Sequence, residues 1–323
     1  MAPLHLVIQI PCYNEEATLA KTMGQLPKSL EGISKISVLI IDDGSRDRTA
    51  EVAQQNGATE VICLNQNRGL ANAFRVGLDR ALEMGADVIV NTDADNQYFA
   101  GDIEKLVRLV IEENYDMVIG DRQTYSIAHF SPLKKFLQNF GSYVVRSLSG
   151  TDIRDATSGF RAFSRHCAMN LNIVSRFSYT IETIIQGGKK QMKIGQIPIR
   201  VNPGVERPSR LFKSMPQFIK NSVVSMLRIY VYYEPLKSFF YVSGAFAMVG
   251  MIPFLRFFYS AMLGNTAGRI QSLIFGSVLL NIAFLIAALG VIGDMQASNR
   301  KLLEGLTARM RKMELRDKSN SVS

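Results

Sequence analysis

The chain has 323 residues, of which 47% are hydrophobic and 20% are charged, a composition that excludes an intrinsically disordered polymer. Its three cysteines are far apart and its three histidines are scattered, which excludes a disulfide framework and argues against a zinc site. Residues 1–199 hold 21 Lys and Arg against 22 Asp and Glu, whereas residues 200–323 hold 16 against 6, a distribution that favours an anionic membrane surface over nucleic acid as the partner.

Short β-branched runs alternate with helical patterns in the first two thirds of the chain. The predicted strands are 4–10, 36–42, 61–64, 87–93 and 116–120, and the predicted helices lie near 15–30, 47–56, 70–84, 102–114 and 132–149. This order predicts an α/β domain over residues 1–213, with a mostly parallel sheet and helices on both faces. Ligands of such sheets bind beyond the carboxyl ends of the strands.

Acidic residues follow three of these predicted strands, in segments 11–16, 42–47 and 93–97. Each segment alone is a weak signal, because a turn with a helix cap explains 42–47 equally well and an Asp-x-Asp at a strand end is common by chance. Together, they place several carboxylates at one edge of the sheet, where a divalent cation would relieve their mutual repulsion. Because all the candidate ligands are oxygens, the pattern favours Mg²⁺ or Mn²⁺ over zinc.

Two long uncharged runs predict membrane-spanning helices at about 237–262 and 271–293, within a region 236–293. Arg256 interrupts the first run, which still spans if this side chain snorkels towards an interface. Two buried helices of a soluble domain are the disfavoured alternative, because core helices are rarely so long and uniformly apolar. Basic residues flank both runs outside the short connecting loop, so the positive-inside rule predicts a multi-pass protein of the cell (inner) membrane with cytoplasmic termini.

Two further segments have amphipathic patterns. Residues 214–235 suit a helix lying in the membrane interface, or equally a helix packed on the domain. Residues 294–323 form a predicted cytoplasmic helical tail, with Leu302, Leu306 and Met313 among the apolar residues at helical spacing. The tail either mediates self-association, giving a homodimer or homotetramer, or lies on the membrane or the domain.

The chain contains several motifs in order: IPCYNEE, IIDDGSRDRT, NRGLANAFRVGL, DADNQ, GDR and DATSGFRAFSR, followed by Arg207 to Lys213. In combination, they resemble the motifs of family-2 glycosyltransferases with the GT-A fold. More narrowly, the sequence is similar to the polyprenyl-phosphate glycosyltransferases, which include dolichol-phosphate mannose synthases and bacterial undecaprenyl-phosphate glucosyltransferases. The resemblance covers about residues 4–215 and implies a Rossmann-like, nucleotide-sugar-binding domain.

The resemblance also implies roles for individual residues. The implied nucleotide-sugar contacts are Pro11, Tyr13, Asn14, Glu15, Asp42, Asp43, Gly44, Asn67, Gly69, Asp93, Arg207, Arg210 and Lys213. The implied ligands of Mg²⁺ or Mn²⁺ are Asp95, Gln97 and Asp93, and the implied acceptor-phosphate residues are Arg122, Lys134, Lys135, Ser158 and Arg161. Lys134, Lys135 and Arg146 remain alternative candidates for the second acceptor-phosphate cation. The implied catalytic residues are Asp93, Asp95, Arg122 and Arg207.

The implied activity is the inverting transfer of one sugar from a UDP-glucose or GDP-mannose class donor to undecaprenyl or dolichyl phosphate at the cytoplasmic membrane face. A phosphate acceptor is mostly ionised at pH 7, so it needs no strong general base. The alternatives are a membrane-bound glycosyltransferase for another lipid or glycan, and a non-catalytic nucleotide-sugar-binding module. A processive polysaccharide synthase is disfavoured, because such enzymes use a Q-x-x-R-W motif and this chain has no tryptophan.

Overall fold

Strands and helices alternate through the N-terminal part of the chain. The computed structural model describes residues 3–123, 141, 143–173, 179–202, 223–224, 227–263 and 270–322. The elements up to residue 123 are β1 (Leu4–Cys12), α1 (Leu19–Gly24), β2 (Ile33–Asp42), α2 (Thr49–Gln55), β3 (Glu60–Cys63), α3 (Leu70–Glu83), β4 (Val88–Asn91), a 3₁₀ turn (Ala100–Asp102), α4 (Ile103–Glu112) and β5 (Met117–Asp121). The later elements are β6 (Arg161–Ser164), α5 (Arg165–Asn170), α6 (Tyr179–Lys189), β7 (Ile194–Pro198), α7 (Pro235–Met262) and α8 (Ile270–Val322).

The seven strands form one sheet in the order β3-β2-β1-β4-β6-β5-β7. All neighbouring strands are parallel except at β6, which is antiparallel to both β4 and β5. The prediction of a mostly parallel sheet is therefore confirmed. Because β1, β2 and β4 run in the same direction, the segments that follow them emerge at one edge of the sheet.

The central strand β1 is buried along almost its whole length, because helices cover both faces of the sheet. Leu6, Ile8 and Ile10 are fully buried in the core. Helix α3 packs on β1 and β2, and its apolar residues, including Phe74 and Leu78, are buried. Burial of each such large side chain contributes about 1.5–3 kcal/mol, so the core fixes the strand ends that carry the site.

Several elements differ from the sequence prediction. The helix expected near 15–30 is only six residues long and ends just before Pro27, which lacks the N–H that a continuing helix needs. Strands β6 and β7 were not among the predicted strands, because one begins with a charged residue and the other contains Gly195 and Gln196. Most of the helix expected at 132–149 lies outside the described residues, although 143–149 are helical.

The chain divides into two compact units, Met1–Ser222 with Glu304–Ser323, and Val223–Leu303. Helices α7 and α8 are long and apolar enough to cross a membrane, by length and composition. Only 11% and 17% of their most apolar stretches are buried, which is unlike the core helix of a soluble protein. Within the second unit the two helices approach closely, since a methyl group on Gly276 would come within 2.9 Å of the Gly250 carbonyl oxygen.

Helix α8 does not end where the second apolar run ends. The sequence predicted a span to residue 293 and a separate tail at 294–323, but the helix continues unbroken from Ile270 to Val322. Half of the residues of the expected interfacial helix at 214–235 lie outside the described residues, and residues 223–224 and 227–233 of the other half are helical.

Candidate active site

Hydrogen bonds connect the loop that follows β1 to the loop that follows β2. The Asn14 N–H donates to Ser45 Oγ at 2.9 Å, and Asn14 Oδ1 accepts from the Arg46 N–H at 2.9 Å. Asn14 has a φ of 54°, a left-handed conformation that asparagine tolerates better than most residues. The Glu15 N–H donates to Thr49 Oγ1 at 2.8 Å. These bonds give the predicted nucleotide-binding loop a fixed shape.

Asp43 organises the turn that leads into α3. Its two carboxylate oxygens accept from the N–H groups of Arg68 and Gly69, at 2.9 and 2.8 Å. The neighbouring Gly44 has a φ of +72°, and a Cβ there would lie 2.7 Å from the carbonyl carbon of Gln66. Asp43 and Gly44 therefore position the turn around Asn67, and Asp42 similarly accepts from the Ser45 N–H at 2.9 Å.

The remaining predicted residues of this region lie at the rim of the sheet. Pro11 is buried at the end of β1, opposite Ile41 of β2. Tyr13 is 37% exposed, and Asn67 is exposed, so both side chains are accessible from solvent. The structure thus brings the predicted nucleotide-sugar residues of the first seventy positions to one edge of the sheet.

Two carboxylates follow β4 at the same edge. Burial and the nearby Asp95 carboxylate raise the pKa of Asp93 to about 6, against the opposing effects of a hydrogen bond with Tyr98 and the charge of Arg122. Asp95 Oδ1 accepts from the Gln97 N–H at 3.0 Å, which bends the loop back on itself. The pair therefore carries negative charge that the surrounding residues only partly compensate.

The loop before β6 packs directly against Asp93. A methyl group on Gly159 would come within 2.8 Å of Asp93 Oδ1 and 2.9 Å of the Tyr179 hydroxyl. The Gly159 N–H donates to the Tyr98 hydroxyl at 3.1 Å, and the Gly159 carbonyl accepts from Asn91 Nδ2 at 2.8 Å. Glycine is needed here because any side chain would displace the carboxylate.

Arg122, which follows β5, is held by Asp155. Its Nε and Nη2 donate to the two Asp155 oxygens at 2.8 and 2.9 Å, and Nη2 also donates to Thr157 Oγ1 at 2.8 Å. Burial opposes the charge on both groups, but their mutual hydrogen bonds hold the pKa of Asp155 below and the pKa of Arg122 above the usual values. The guanidinium is thus charged and fixed in orientation near Asp93.

The structure does not support the expected contact of Arg161 with an acceptor phosphate. This side chain is fully buried, and its guanidinium donates to the carbonyl oxygens of Ser158, Ala156 and Thr180 and to Thr183 Oγ1, at 2.6–2.9 Å. Burial lowers the pKa of Arg161 to about 10, so it remains charged at neutral pH. Arg161 therefore holds the loop before β6 in place from the protein interior. Ser158 is also fully buried, and its hydroxyl has no hydrogen-bond partner among the described residues.

The segment after β7 is anchored beside the Asp93–Gln97 loop. The Asn202 N–H donates to the Gln97 carbonyl at 2.8 Å, and Asn202 Nδ2 donates to the Asn96 carbonyl at 2.9 Å. Arg200 pairs with the buried Asp102 at 2.8 Å. The predicted residues Arg207, Arg210 and Lys213, which follow this segment in the chain, and Lys134 and Lys135 lie outside the described residues.

The donor set at Asp93, Asp95 and Gln97 suits a hard divalent cation. Among the described residues, no group of three His, Cys, Asp or Glu side chains is arranged to hold a metal ion. Mg²⁺, however, is commonly bound by one or two carboxylates, with substrate phosphate oxygens and water completing its shell. Two carboxylates and an amide oxygen fit Mg²⁺ or Mn²⁺ bound together with a diphosphate.

Residues that the sequence did not single out complete the site: Asn91, Tyr98, Asp155, Thr157 and Tyr179. Asp155 and Thr157 belong to the motif DATSGFRAFSR, so this motif is the sequence feature that could have identified them. Their contact with Arg122, more than thirty residues away, follows only from the fold.

Comparisons with known proteins identify a family and several relatives of this chain. The family described as "Glycosyl transferase family 2" matches residues 7–171. An uncharacterized protein of Methanocaldococcus jannaschii is 34% identical over 201 residues, which are 60% of this chain and 80% of that protein. A UDP-N-acetylglucosamine–dolichyl-phosphate N-acetylglucosaminyltransferase of Methanococcus voltae is 30% identical, over 62% of this chain and 86% of that protein. An undecaprenyl-phosphate mannosyltransferase of Micrococcus luteus is 27% identical, over 68% of this chain and 91% of that protein.

Solved structures resemble this one in fold. Glucosyl-3-phosphoglycerate synthase of Mycobacterium tuberculosis, solved with phosphoglyceric acid, has a TM-score of 0.55 and is 19% identical, over 70% of this chain and 80% of that chain. The same enzyme has been solved with Mn²⁺ and UDP-glucose, with a TM-score of 0.53. At this identity the likeness concerns the fold alone, and it confirms the expected GT-A architecture.

Proposed function

Because the chain belongs to glycosyl transferase family 2, we propose that it transfers a single sugar from a nucleotide-diphosphate sugar to a polyprenyl phosphate. The observation that carries this proposal is that the acidic pair Asp93 and Asp95, whose charge is only partly compensated, lies near the fixed guanidinium of Arg122. Such a site suits two phosphate groups that must be held close together, one through a cation and one directly.

The donor side lies along the loops after β1, β2 and β4. Asp43 holds the turn around Asn67, and Asn14 hydrogen-bonds the loop after β1 to the loop after β2. A nucleotide would therefore bind a preformed surface. Asp95 and Gln97 would hold Mg²⁺ or Mn²⁺ against the diphosphate. When bound, such a cation stabilises the charge that builds up on the leaving diphosphate. Arg207 and Arg210 are proposed to add positive charge to the same diphosphate.

The acceptor side lies at Arg122. A monophosphate is already mostly ionised at neutral pH, so the chain needs to orient it rather than deprotonate it. Arg122, held by Asp155 and Thr157, supplies a charge whose direction is fixed before the acceptor arrives. Lys134 or Lys135 is proposed as the second phosphate contact. In-line attack by the phosphate oxygen on the sugar carbon inverts the configuration, converting an α-linked donor into a β-linked lipid product.

The two long apolar helices support a lipid as the proposed acceptor. We propose that α7 and α8 cross the cell membrane, with the catalytic unit and both termini in the cytoplasm, because the basic residues flank the apolar runs outside their short connection. A long-chain acceptor that stays in the bilayer then meets the site at the cytoplasmic face. The donor is proposed to be of the UDP-glucose or GDP-mannose class.

Transfer of radiolabelled sugar into an organic-extractable lipid tests the proposal. Purified full-length protein is incubated with undecaprenyl or dolichyl phosphate, Mg²⁺ or Mn²⁺, and a panel of UDP- and GDP-sugars. We expect one donor to label the lipid, and Asp95→Asn to lower the rate by about 100-fold or more, because it weakens the cation site. Glu104→Gln, which removes an exposed carboxylate on α4, is the matched control and retains the rate.

Two outcomes would contradict this function. Label that appears only in a glycan or another lipid would identify a different acceptor. Nucleotide-sugar binding without transfer to any acceptor would identify a binding module.

A further inference from the structure

The C-terminal part of α8 packs on the catalytic unit through a face of mixed polarity. Between residues 304 and 315, the half-buried positions are Glu304, Ala308, Arg311 and Leu315, which recur every three or four residues and therefore share one helix face. The exposed residues Leu306, Met310 and Met313 do not lie on this docked face.

Arg311 is the main contact of the docked face. Its Nη2 lies 2.8 Å from Asp79 Oδ1 on α3, and its Nη1 donates to the carbonyl oxygens of Ala168, Met169 and Leu171 at the end of α5, at 3.0–3.3 Å. Glu304 pairs with Lys190 at 3.5 Å. These bonds fix the rotation of the helix about its axis.

The opposite face is apolar and exposed. Leu306, Met310 and Met313 are 55%, 57% and 59% exposed, and at 100° per residue they lie roughly opposite the docked positions. A surface helix usually buries its apolar face and exposes its polar one. Here, instead, Leu306, Met310 and Met313 form an exposed apolar stripe that faces away from the chain's own catalytic unit.

We propose that a second copy of this chain covers the stripe, forming a short parallel coiled coil between two tails. The stripe follows the coiled-coil spacing, with Leu303 and Met310 at positions a and Leu306 and Met313 at positions d. Asp317, at the next position a, ends the apolar seam after two heptads. This inference is independent of the proposed transfer reaction.

The flanking charges favour a parallel pair. In this register Arg309 is at position g and Glu314 is at position e of the following heptad, and both are exposed. A parallel coiled coil brings these two positions of opposite helices together, so Arg309 of each copy faces Glu314 of the other. Two copies inserted in one membrane have the same orientation, and their tails therefore run in the same direction.

The bilayer is a poor occupant for the stripe. Met313 is twenty residues beyond Gly293, where the uncharged run ends, and this corresponds to about 30 Å of helix. Residues 300–318 also carry ten charged side chains, including Arg309 and Glu314 beside the stripe. A seam of two heptads is short, but confinement of both copies to one membrane raises their effective concentration.

Cysteine cross-linking in native membranes tests the proposal. In a Cys63→Ser background, which removes the exposed native thiol, Met313→Cys places a thiol at a seam position, and Lys312→Cys places one on the adjacent outward position. We expect mild oxidation to give a disulfide-linked dimer with Met313→Cys and at least fivefold less with Lys312→Cys. Equal yields at the two positions, or no dimer at either, would overturn the proposal.

A charge swap tests the parallel register in the same assay. Arg309→Glu and Glu314→Arg should each lower the Met313→Cys dimer yield several-fold, and the double variant should restore it. Restoration separates a specific contact from misfolding, which a second substitution would not repair. Three results would overturn the proposal. The single variants could give unchanged yields, or the cross-linked product could be larger than a dimer of this chain. Alternatively, the Met313→Cys thiol could be shielded from a membrane-impermeant maleimide although the protein remains monomeric.

Discussion

Arg122 and Asp155 form a two-pronged ion pair, with Nε–Oδ2 and Nη2–Oδ1 distances of 2.8 and 2.9 Å, across thirty-three positions of the chain. The Asp155 side chain is 2% exposed and that of Arg122 is 18% exposed. A buried pair of this kind adds little net stability, because desolvation of the two charges offsets much of their attraction. Its main effect is to fix the orientation of the guanidinium. The pair thus connects the end of β5 to the loop that packs on Asp93.

Removing Asp155 should therefore damage both the fold and the reaction. We expect Asp155→Ala to lower the free energy of unfolding by about 3 kcal/mol, because it leaves the largely buried Arg122 charge without its partner. Thermal unfolding in detergent measures this, and the lipid-labelling assay should show a loss of at least tenfold in folded protein. Arg108→Ala, which removes exposed ion pairs on α4, is the control and should cost less than about 1 kcal/mol. Equal effects of the two substitutions would contradict the assigned role.

Gly159 should not tolerate a side chain. We expect Gly159→Ala to reduce sugar transfer by about tenfold or more, because the added methyl group would meet the Asp93 carboxylate at 2.8 Å. Gly24→Ala is a matched control, since a methyl group there meets nothing within 4 Å and α1 accepts alanine. Measurements of the rate and of donor binding compare the two variants. A fully active Gly159→Ala protein would show that Asp93 can move without loss of function.

Asp102 should make stability depend on pH in the acid range. Burial opposes its ionisation, but hydrogen bonds from Arg200 and Lys105 outweigh this effect and lower the pKa of Asp102 to about 2. A carboxyl group whose pKa is lowered in the folded protein stabilises the fold at pH values above its pKa in the unfolded chain, which is near 4. This contribution is lost as the pH falls towards the folded-state pKa of about 2. We expect about 2 kcal/mol of stabilisation at pH 6 to disappear over this range.

The Asp102→Asn variant isolates this contribution. Its unfolding temperature should be lower than that of the unchanged protein at pH 6, and the two should converge as pH approaches 2. Glu104→Gln, which changes an exposed carboxylate two residues further along the chain, should follow the unchanged protein at every pH. A constant difference between Asp102→Asn and the unchanged protein would refute the linkage.

The close approach of α7 and α8 should depend on glycine. We expect Gly276→Ile to lower the unfolding temperature of the second unit, Val223–Leu303, because even a methyl group would come within 2.9 Å of the Gly250 carbonyl and 2.8 Å of the Phe254 ring. Overpacking of this kind typically costs about 1–3 kcal/mol. Gly244→Ile, on α7, has open space around its Cβ and serves as the control. Equal shifts for the two variants would mean that the helices do not pack at this point.

The sequence by itself determined the elements with strong local patterns. The β-branched runs identify β1, β2, β3, β4 and β5, since burial on both sides of a parallel sheet demands continuous apolar residues. The acidic segment Asp93–Gln97 indicates a site together with the segments after β1 and β2, because carboxylates that meet at one edge of a sheet repel one another unless a cation lies between them. The two apolar runs near the C-terminus likewise required only length and composition.

Only the tertiary structure decided the roles of individual polar groups. Arg161 and Arg122 look equivalent in the sequence, yet the fold buries the first among backbone carbonyls and leaves the second beside Asp93. Gly159 was part of a recognised motif, but its contact with Asp93 depends on β6 running antiparallel beside β4. The physical reason is that local patterns report how much of a side chain is buried, whereas its partners are set by the path of the chain between distant residues.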